Sequence, residues 1–333
     1  MVSSKPKGSL PSSEDPQPSH KKVYASGIWV AYLKALRPRQ WTKNLIIFAA
    51  PLFAFAINWR TISGSLLAFT LFCCISSSFY LINDLMDVEA DRRHPVKCKR
   101  PIAAGLISIP TAITMAILLM GGALLVGGLY TPMLSVVLAC YAVLQVAYNL
   151  RLKHTVVLDV IAIASGFVLR ALAGGVATSI TLSSWFLLCT AMLALFLAIE
   201  KRKAEMRLAV AKGGSSRAVL RRYSLFLLQR MEGVVTAGAI LTYTLWSSGP
   251  EVGGASTSWM LLTVPFVLYG IFRYQFLSDP KEIRRRQRLE GSISARTERP
   301  DEVLLSDLPI LLTVVSWIVV TTGILALAKM GVL

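Results

Sequence analysis

The sequence predicts an all-α, polytopic membrane protein: nine transmembrane helices in one bundle, with a chemically active face at one end. Three observations predict it. First, 54% of the 333 residues are hydrophobic and the mean hydropathy is +0.59, which is rare for a water-soluble domain. Second, charge is nearly absent over repeated runs of about 20 residues, the length a helix needs to cross ~30 Å of hydrocarbon. Third, 32 of the 35 Lys and Arg fall in residues 1–43, 83–108, 150–155, 200–230 and 273–307, leaving only Arg60, Arg170 and Lys329 elsewhere. By the positive-inside rule, that distribution puts the N-terminus and every charged motif on the cytoplasmic face, and nine spans put the C-terminus opposite.

Along the chain, residues 1–27 are polar and rich in Ser, Pro and Lys, and are expected to form a disordered cytoplasmic segment without a cleavable signal. An amphipathic stretch at Gly27–Arg39, broken at Pro38, leads into the first span. The nine expected spans are 40–57, 62–82, 109–129, 132–149, 156–176, 182–199, 231–248, 257–276 and 308–330. Two long charged loops follow, Glu200–Arg222 and Asp279–Asp307. The second contains Arg284-Arg285-Arg286-Gln287-Arg288, read as cytoplasmic charge against anionic lipid; the stretch 281–299 has no further assignment. A net charge of +17 would point to nucleic acid in a soluble protein, but here it sits in the loops of a membrane bundle, so no nucleic-acid partner is expected. The five Cys show no metal-ligand or CxxC spacing, and neither zinc nor a disulfide is expected.

The candidate chemistry begins after the second span. Asn83, Asp87 and Asp91 recur every four residues and share a helix face, with Asp84 beside it. Carboxylates so spaced repel one another unless a cation neutralises them. Hard oxygen ligands at this spacing suit Mg²⁺, which commonly carries substrate phosphates. A charged helix end in solvent is the competing reading. The basic run Arg92–Arg100, with Lys97 and Arg100, then reads as a phosphate clamp. Pro95 and Pro101 stiffen it and Gly105 permits a tight turn. In Leu36–Asn44, Trp41 and Arg39 fit an interfacial anchor, whereas Lys43 and Asn44 lie deeper, where Lys43 could reach a phosphate. Tyr148 and Lys153 close the fourth span, with Asp159 at the start of the fifth, and read either as groups pointing into a cytoplasmic-side cavity or as an interface-belt tyrosine and a loop cation. Arg170, near the midplane, requires a partner inside the bundle: either a substrate or a structural ion pair with Glu232. Glu200, Lys201, Arg202 and Glu205 mix acids and bases, which suits a substrate bearing both phosphate and hydroxyls.

Asn83-Asp84-x-x-Asp87-x-x-x-Asp91, the Tyr148…Lys153 motif and nine helices resemble the UbiA superfamily of intramembrane prenyltransferases, over about residues 30–330. Most members hold Mg²⁺ and a prenyl diphosphate between two Asp-rich motifs. Here the second motif reads Glu200-Lys-Arg-Lys-Ala-Glu205. With LRPRQWTKN at 36–44 and NDxxDxxxDRRHPxKxxRPIAAG at 83–105, the chain resembles the polyprenyl-phosphate phosphoribosyltransferase branch. Asp301-Glu302-Val303-Leu304-Leu305 resembles it too. The resemblance implies one transferase domain over residues 28–333, phosphoribosyl diphosphate (PRPP) as donor, a polyprenyl phosphate such as decaprenyl phosphate as acceptor, and Mg²⁺ as cofactor. It also implies a place in arabinan precursor synthesis at a bacterial cell membrane. In those terms Asn83, Asp84, Asp87 and Asp91 hold the metal; Asp84, Asp87 and Lys43 are catalytic; Arg37, Lys43 and Asn44 receive the lipid phosphate. Lys97, Arg100, Tyr148, Lys153, Glu200, Lys201, Arg202 and Glu205 contact the donor, and Arg170 is either a substrate contact or structural. A homo-oligomer is left open. Prenyl transfer to an aromatic acceptor is the alternative within enzymes, and transport of an anionic lipid the alternative outside them. One-sided charge argues against transport.

Overall fold

The computed structural model describes residues 25–212, 218–290, 303 and 306–332, and among these there is no β-strand. The expected disorder of residues 1–24, part of the 281–299 stretch and most of Asp301–Leu305 lie outside them. The chain is already helical at α1 (Ala25–Leu36), which begins within the segment expected to be disordered. There follow α2 (Ala49–Phe53), α3 (Trp59–Met86), α4 (Val88–Arg93), α5 (Ile109–Tyr130), α6 (Pro132–Leu150), α7 (Leu158–Thr178), α8 (Ser184–Lys212), α9 (Leu225–Ser247), α10 (Val264–Leu277), α11 (Pro280–Glu290) and α12 (Leu308–Lys329).

Eight helices among the described residues are long and apolar enough to cross a membrane: α3, α5 to α9, the helical run Ser258–Leu277 that ends in α10, and α12. The first of the nine expected spans takes another form. Pro38–Phe48 is a 3₁₀ helix that passes into the short α2. At about 2.0 Å per 3₁₀ residue and 1.5 Å per α residue it rises about 30 Å, comparable with the hydrocarbon thickness. Two boundaries also shift. The helix expected over 182–199 runs on to Lys212, so Glu200–Glu205 stand on a helix face rather than in a loop. At about 1.5 Å per residue, the 28 residues of α3 and 29 of α8 reach about 42 and 43 Å, beyond the bilayer core.

Side chains at the sequence breaks terminate the helices. Asn58 and Thr61 form a reciprocal capping box at the start of α3. Ser108, Ser224 and Asp307 accept from the backbones of Thr111, Leu227 and Ile310 to cap α5, α9 and α12. Asp307 also accepts from Arg273 Nη2 and Nε, at 3.0 and 3.2 Å, tying α10 to α12. Burial pushes that carboxyl up, but the Arg273 bonds and the Ile310 amide outweigh it and hold its pKa below the usual range.

Helix α7 is the hub. Ala162, Ala164, Gly166, Ala171, Ala173, Gly174, Gly175 and Ala177 are all buried, and these small residues let neighbours approach closely. One core packs α3, α5 and α6 against α7 around Phe72, Leu138 and Tyr141. A second joins α7 to α8, α9 and α10 around Phe196, Ile199 and Tyr274. A third gathers Phe53, Phe186, Trp246 and Trp317, with ring centroids of Phe53 4.8–5.7 Å from the other three. Outward positions such as Ile117, Leu118, Leu125, Leu129, Leu312 and Val319 are exposed, as a lipid-facing surface requires.

The 3₁₀ segment lies against α7 at Gly174, where a β-carbon would collide with the carbonyl of Ile47. Gly174→Ala should therefore push two backbones apart, at a cost of about 1–3 kcal/mol. Gly121→Ala, whose β-carbon would meet no atom within 4 Å, is the matched control. Thermal unfolding in detergent should show a lower midpoint for Gly174→Ala and none for Gly121→Ala.

Candidate active site at the charged end of the bundle

Antiparallel connections bring the C-terminal ends of α3, α6 and α8 and the N-terminal ends of α5, α7 and α9 to one end of the bundle, where two charged clusters form.

The first is built on the Asp-rich stretch. α3 ends at Met86, Asp87 sits at the joint, and α4 resumes at Val88. The bonds from Asp87 N–H to the Asn83 carbonyl and from Asp91 N–H to the Asp87 carbonyl carry the helical pitch across the joint. The face is nevertheless divided differently from expectation. Asp84 and Asp91, two turns apart, are the buried pair at 3% and 1% exposure, while Asn83 is half-buried and Asp87 exposed. Arg100 Nη1 joins the pair, donating to Asp84 Oδ1 at 3.0 Å and Asp91 Oδ2 at 2.6 Å. Arg37 Nη2 donates to the same Asp84 oxygen at 2.5 Å, and Lys97 Nζ lies 3.9 Å from Asp91. Two carboxylates at the edge of hydrocarbon are thus compensated by two guanidiniums about 30% exposed. Such charge-assisted pairs are strong where solvent is scarce.

Arg37 reaches Asp84 because its backbone is left-handed, φ 53° and ψ 60°, between α1 and the 3₁₀ segment. Ser77 fixes this hinge: its hydroxyl donates to the Leu36 carbonyl and accepts from Trp41 Nε1. Trp41 is therefore tied to α3 rather than serving only as an interfacial anchor. Lys43, half-buried, donates to Gln40 Oε1 at 2.6 Å. Downstream, His94 Nδ1 accepts the amides of Val96 and Lys97, and Gly105 turns with φ 73° as the sequence required.

Asn44 and Arg170 lie deeper, in each other's company. Arg170 Nε donates to Asn44 Oδ1 at 2.7 Å, Nη2 to the Tyr141 hydroxyl at 2.9 Å and Nη1 to the Gly166 carbonyl at 2.7 Å. The guanidinium also lies over the Tyr141, Phe167 and Phe72 rings at 4.8–5.8 Å. Asn44 is fully buried and donates to Cys73 Sγ. The expected partner Glu232 belongs elsewhere, because it accepts from Lys203.

That contact opens the second cluster, on α7, α8 and α9. Lys203 also donates to Glu200 at 2.7 Å. Arg202, 1% exposed, donates to Asp159 Oδ2 at 2.9 Å and Glu205 Oε2 at 2.6 Å. Tyr223 donates to Asp159 Oδ1 at 2.7 Å and accepts the Val157 amide at 2.7 Å. Burial and then the bond to Asp159 push the Tyr223 phenol above its usual pKa, so it stays a donor through the physiological range. The Tyr148 phenol lies within electrostatic reach of Arg202. Lys153 is half-buried on the 3₁₀ turn Leu152–His154, and Lys201 is half-buried at the edge of the cluster. Glu200, Arg202 and Glu205 thus bond to partners within the bundle. Sequence reasoning missed Tyr223 and Lys203, because an aromatic or a lysine inside a basic run carries no mark of the acid it will meet.

Mg²⁺ can be tested against the donor set. Asn83, Asp84, Asp87 and Asp91 offer hard oxygens at one helix end. No three His, Cys, Asp or Glu converge closely enough to cage a metal among the described residues. Asp84 and Asp91 are engaged by Arg37, Arg100 and Lys97 and Asp87 is exposed, so an ion held here would take few protein oxygens and need phosphate and water to complete its shell.

Arg202→Leu leaves the Asp159 charge buried, and should cost about 3–5 kcal/mol. Adding Asp159→Asn should return part of that loss. An unchanged unfolding midpoint in Arg202→Leu would show that the pair carries no load.

Residues 30–294 match the UbiA prenyltransferase family. A decaprenyl-phosphate phosphoribosyltransferase of Mycolicibacterium smegmatis is 37% identical over 321 residues, 92% of this chain and 95% of that one. The protein of that name from Corynebacterium glutamicum is 39% identical over 297 residues, 86% and 84%. In fold, the chain is similar to a UbiA homolog from Archaeoglobus fulgidus solved with DMAPP and Mg²⁺: TM-score 0.61, 19% identity, 89% of this chain and 99% of that one.

Proposed function

The chain belongs to the UbiA prenyltransferase family, and on that premise we propose that it transfers the 5-phosphoribosyl group of PRPP to a polyprenyl phosphate, decaprenyl phosphate by the names of its relatives. One observation carries this reading beyond those names. A prenyl-diphosphate site of the usual kind uses two acidic motifs for metal. Here Asp159, Glu200, Glu205 and Glu232 all bond to Arg202 or Lys203. Of the two acidic stretches, the Asn83–Asp91 set keeps Asp87 exposed for a metal-bound diphosphate.

Asn83, Asp84, Asp87 and Asp91 are the residues that would hold Mg²⁺. Bound there, the ion supplies positive charge to the diphosphate as it departs. Arg100 and Lys97 stand beside those carboxylates and orient phosphate oxygens. Arg37 and Lys43, on the hinge and the 3₁₀ segment, receive the lipid phosphate, while its tail remains among the helices and lipid. Tyr148, Lys153 and Lys201 are the residues that would meet the ribose 5-phosphate. Asn44 and Arg170 act by fixing the 3₁₀ segment, Arg202 with Glu205 by fixing α8 against α7, and Glu200 by holding the Lys203 that reaches Glu232 of α9. An oxygen of the lipid phosphate attacks the anomeric carbon, the bond from that carbon to the diphosphate breaks, and diphosphate leaves with its electron pair. The attacking oxygen is already anionic at neutral pH, so the step needs no strong base. Much of the acceleration comes from holding a soluble and a lipid substrate at one membrane face.

The Lys and Arg distribution supports a multi-pass protein with this end cytoplasmic; a bacterial cell membrane and a lipid-linked pentose phosphate made for arabinan synthesis rest on the family resemblance alone. Purified protein with labelled PRPP, polyprenyl phosphate and Mg²⁺ should yield labelled lipid. Asp87→Asn, at an exposed position, should lower the rate about a hundredfold or more without moving the unfolding midpoint. Label that fails to enter lipid with folded protein, or a prenyl diphosphate that outcompetes PRPP as donor, would overturn the assignment.

A further inference from the structure

The 3₁₀ turn that carries Lys153 packs against a second short 3₁₀ turn, Ala218–Arg222, from the connection between α8 and α9. Between the Lys153 turn and α7 stands Val157, whose φ of 72° and ψ of −47° are rarely adopted by a β-branched residue. These dihedrals lie near the strained γ-turn. The amide of this residue is held: it donates to the Tyr223 hydroxyl, which donates in turn to Asp159. Asp159 accepts from Arg202, and Arg202 also bonds Glu205. Asp159, Arg202 and Tyr223 are 0%, 1% and 6% exposed. A buried relay of hydrogen bonds therefore runs from the face of α8 to the peptide that opens α7. A strained peptide persists only where its surroundings over-determine it. The bonds of the Tyr223 hydroxyl to Val157 and Asp159 both serve that joint, whereas an ordinary core tyrosine needs a partner anywhere.

We propose that Tyr223, seated by Asp159 and Arg202, is a positioning residue that sets the Lys153 turn by holding Val157 in its positive-φ conformation. The role rests on the reading of Lys153 as a contact for the donor's phosphate, while the hold on the turn can be measured apart from it. Without the hydroxyl, Val157 relaxes toward negative φ, residues 152–156 rotate, and Lys153 leaves its place. Donor binding weakens, and bond making beside Asp84 and Asp87 proceeds as before once the donor is bound.

Tyr223→Phe keeps the ring and removes only the hydroxyl, and Val157→Gly admits positive φ without strain. Both single variants and the double are compared as full chains in detergent, by amide hydrogen exchange over residues 152–158 and by kinetics with PRPP. Tyr223→Phe should exchange faster there and raise KM for PRPP about tenfold, with kcat within about twofold. The double variant should return KM to within about threefold of the parent. Unchanged exchange in Tyr223→Phe, a loss confined to kcat, or a double variant as impaired as Tyr223→Phe would overturn the proposal. If the parent transfers no phosphoribosyl group, the functional reading fails by itself, and the exchange rates alone decide: faster exchange sustains the hold on the turn, and equal exchange overturns it.

Discussion

A guanidinium inside an apolar bundle must be fully partnered, and Arg170 meets that demand in a way that shapes much of the molecule. It draws Asn44 inward, with Tyr141 and the Gly166 carbonyl completing its bonds. Asn44 faces α7 within a segment pressed so close at Gly174 that no β-carbon fits. The segment winds as a 3₁₀ helix instead of an ordinary span. Its start is the left-handed Arg37, and from that hinge the guanidinium swings back onto Asp84. A charge buried in mid-bundle thus places a cation at the rim.

The two charged clusters answer the cost of desolvation differently. Around Asp84 and Asp91 the compensating guanidiniums keep about a third of their surface in solvent. They can exchange partners with modest loss, which suits a place where phosphate and metal come and go. Around Asp159 and Glu200 both acids and bases are sealed, and breaking one partner leaves a charge with no water to replace it. The first arrangement suits chemistry and the second suits mechanical stiffness, although in composition the two stretches look alike.

That likeness explains what was legible in the sequence. Hydropathy revealed the spans, since lipid permits few alternatives to apolar helices. The Asn83–Asp91 stretch stood out because carboxylates at helical spacing oppose one another. The shape of the first span was not legible, because a 3₁₀ path depends on Asn44 meeting Arg170, 126 residues away in the chain, and Ile47 meeting Gly174 beside it on α7. Nor was the fate of Glu200–Glu205, since a mixed run looks the same whether its partners are substrate or α7 and α9. Arg170 was recognised as needing a partner, with Glu232 as one candidate, but side-chain reach gave Arg170 to Asn44 and Tyr141 and Glu232 to Lys203.

The lengths of α3 and α8 carry a last consequence. Both outrun the hydrocarbon, so the charged end stands on stilts rather than in loops. Where it stands relative to the headgroups is set by the thickness of the host bilayer, because a thinner membrane exposes more of each rod and a thicker one forces tilt. The plane in which soluble donor and lipid acceptor meet is therefore partly a property of the lipids, and the membrane acts as a spacer in the enzyme's geometry.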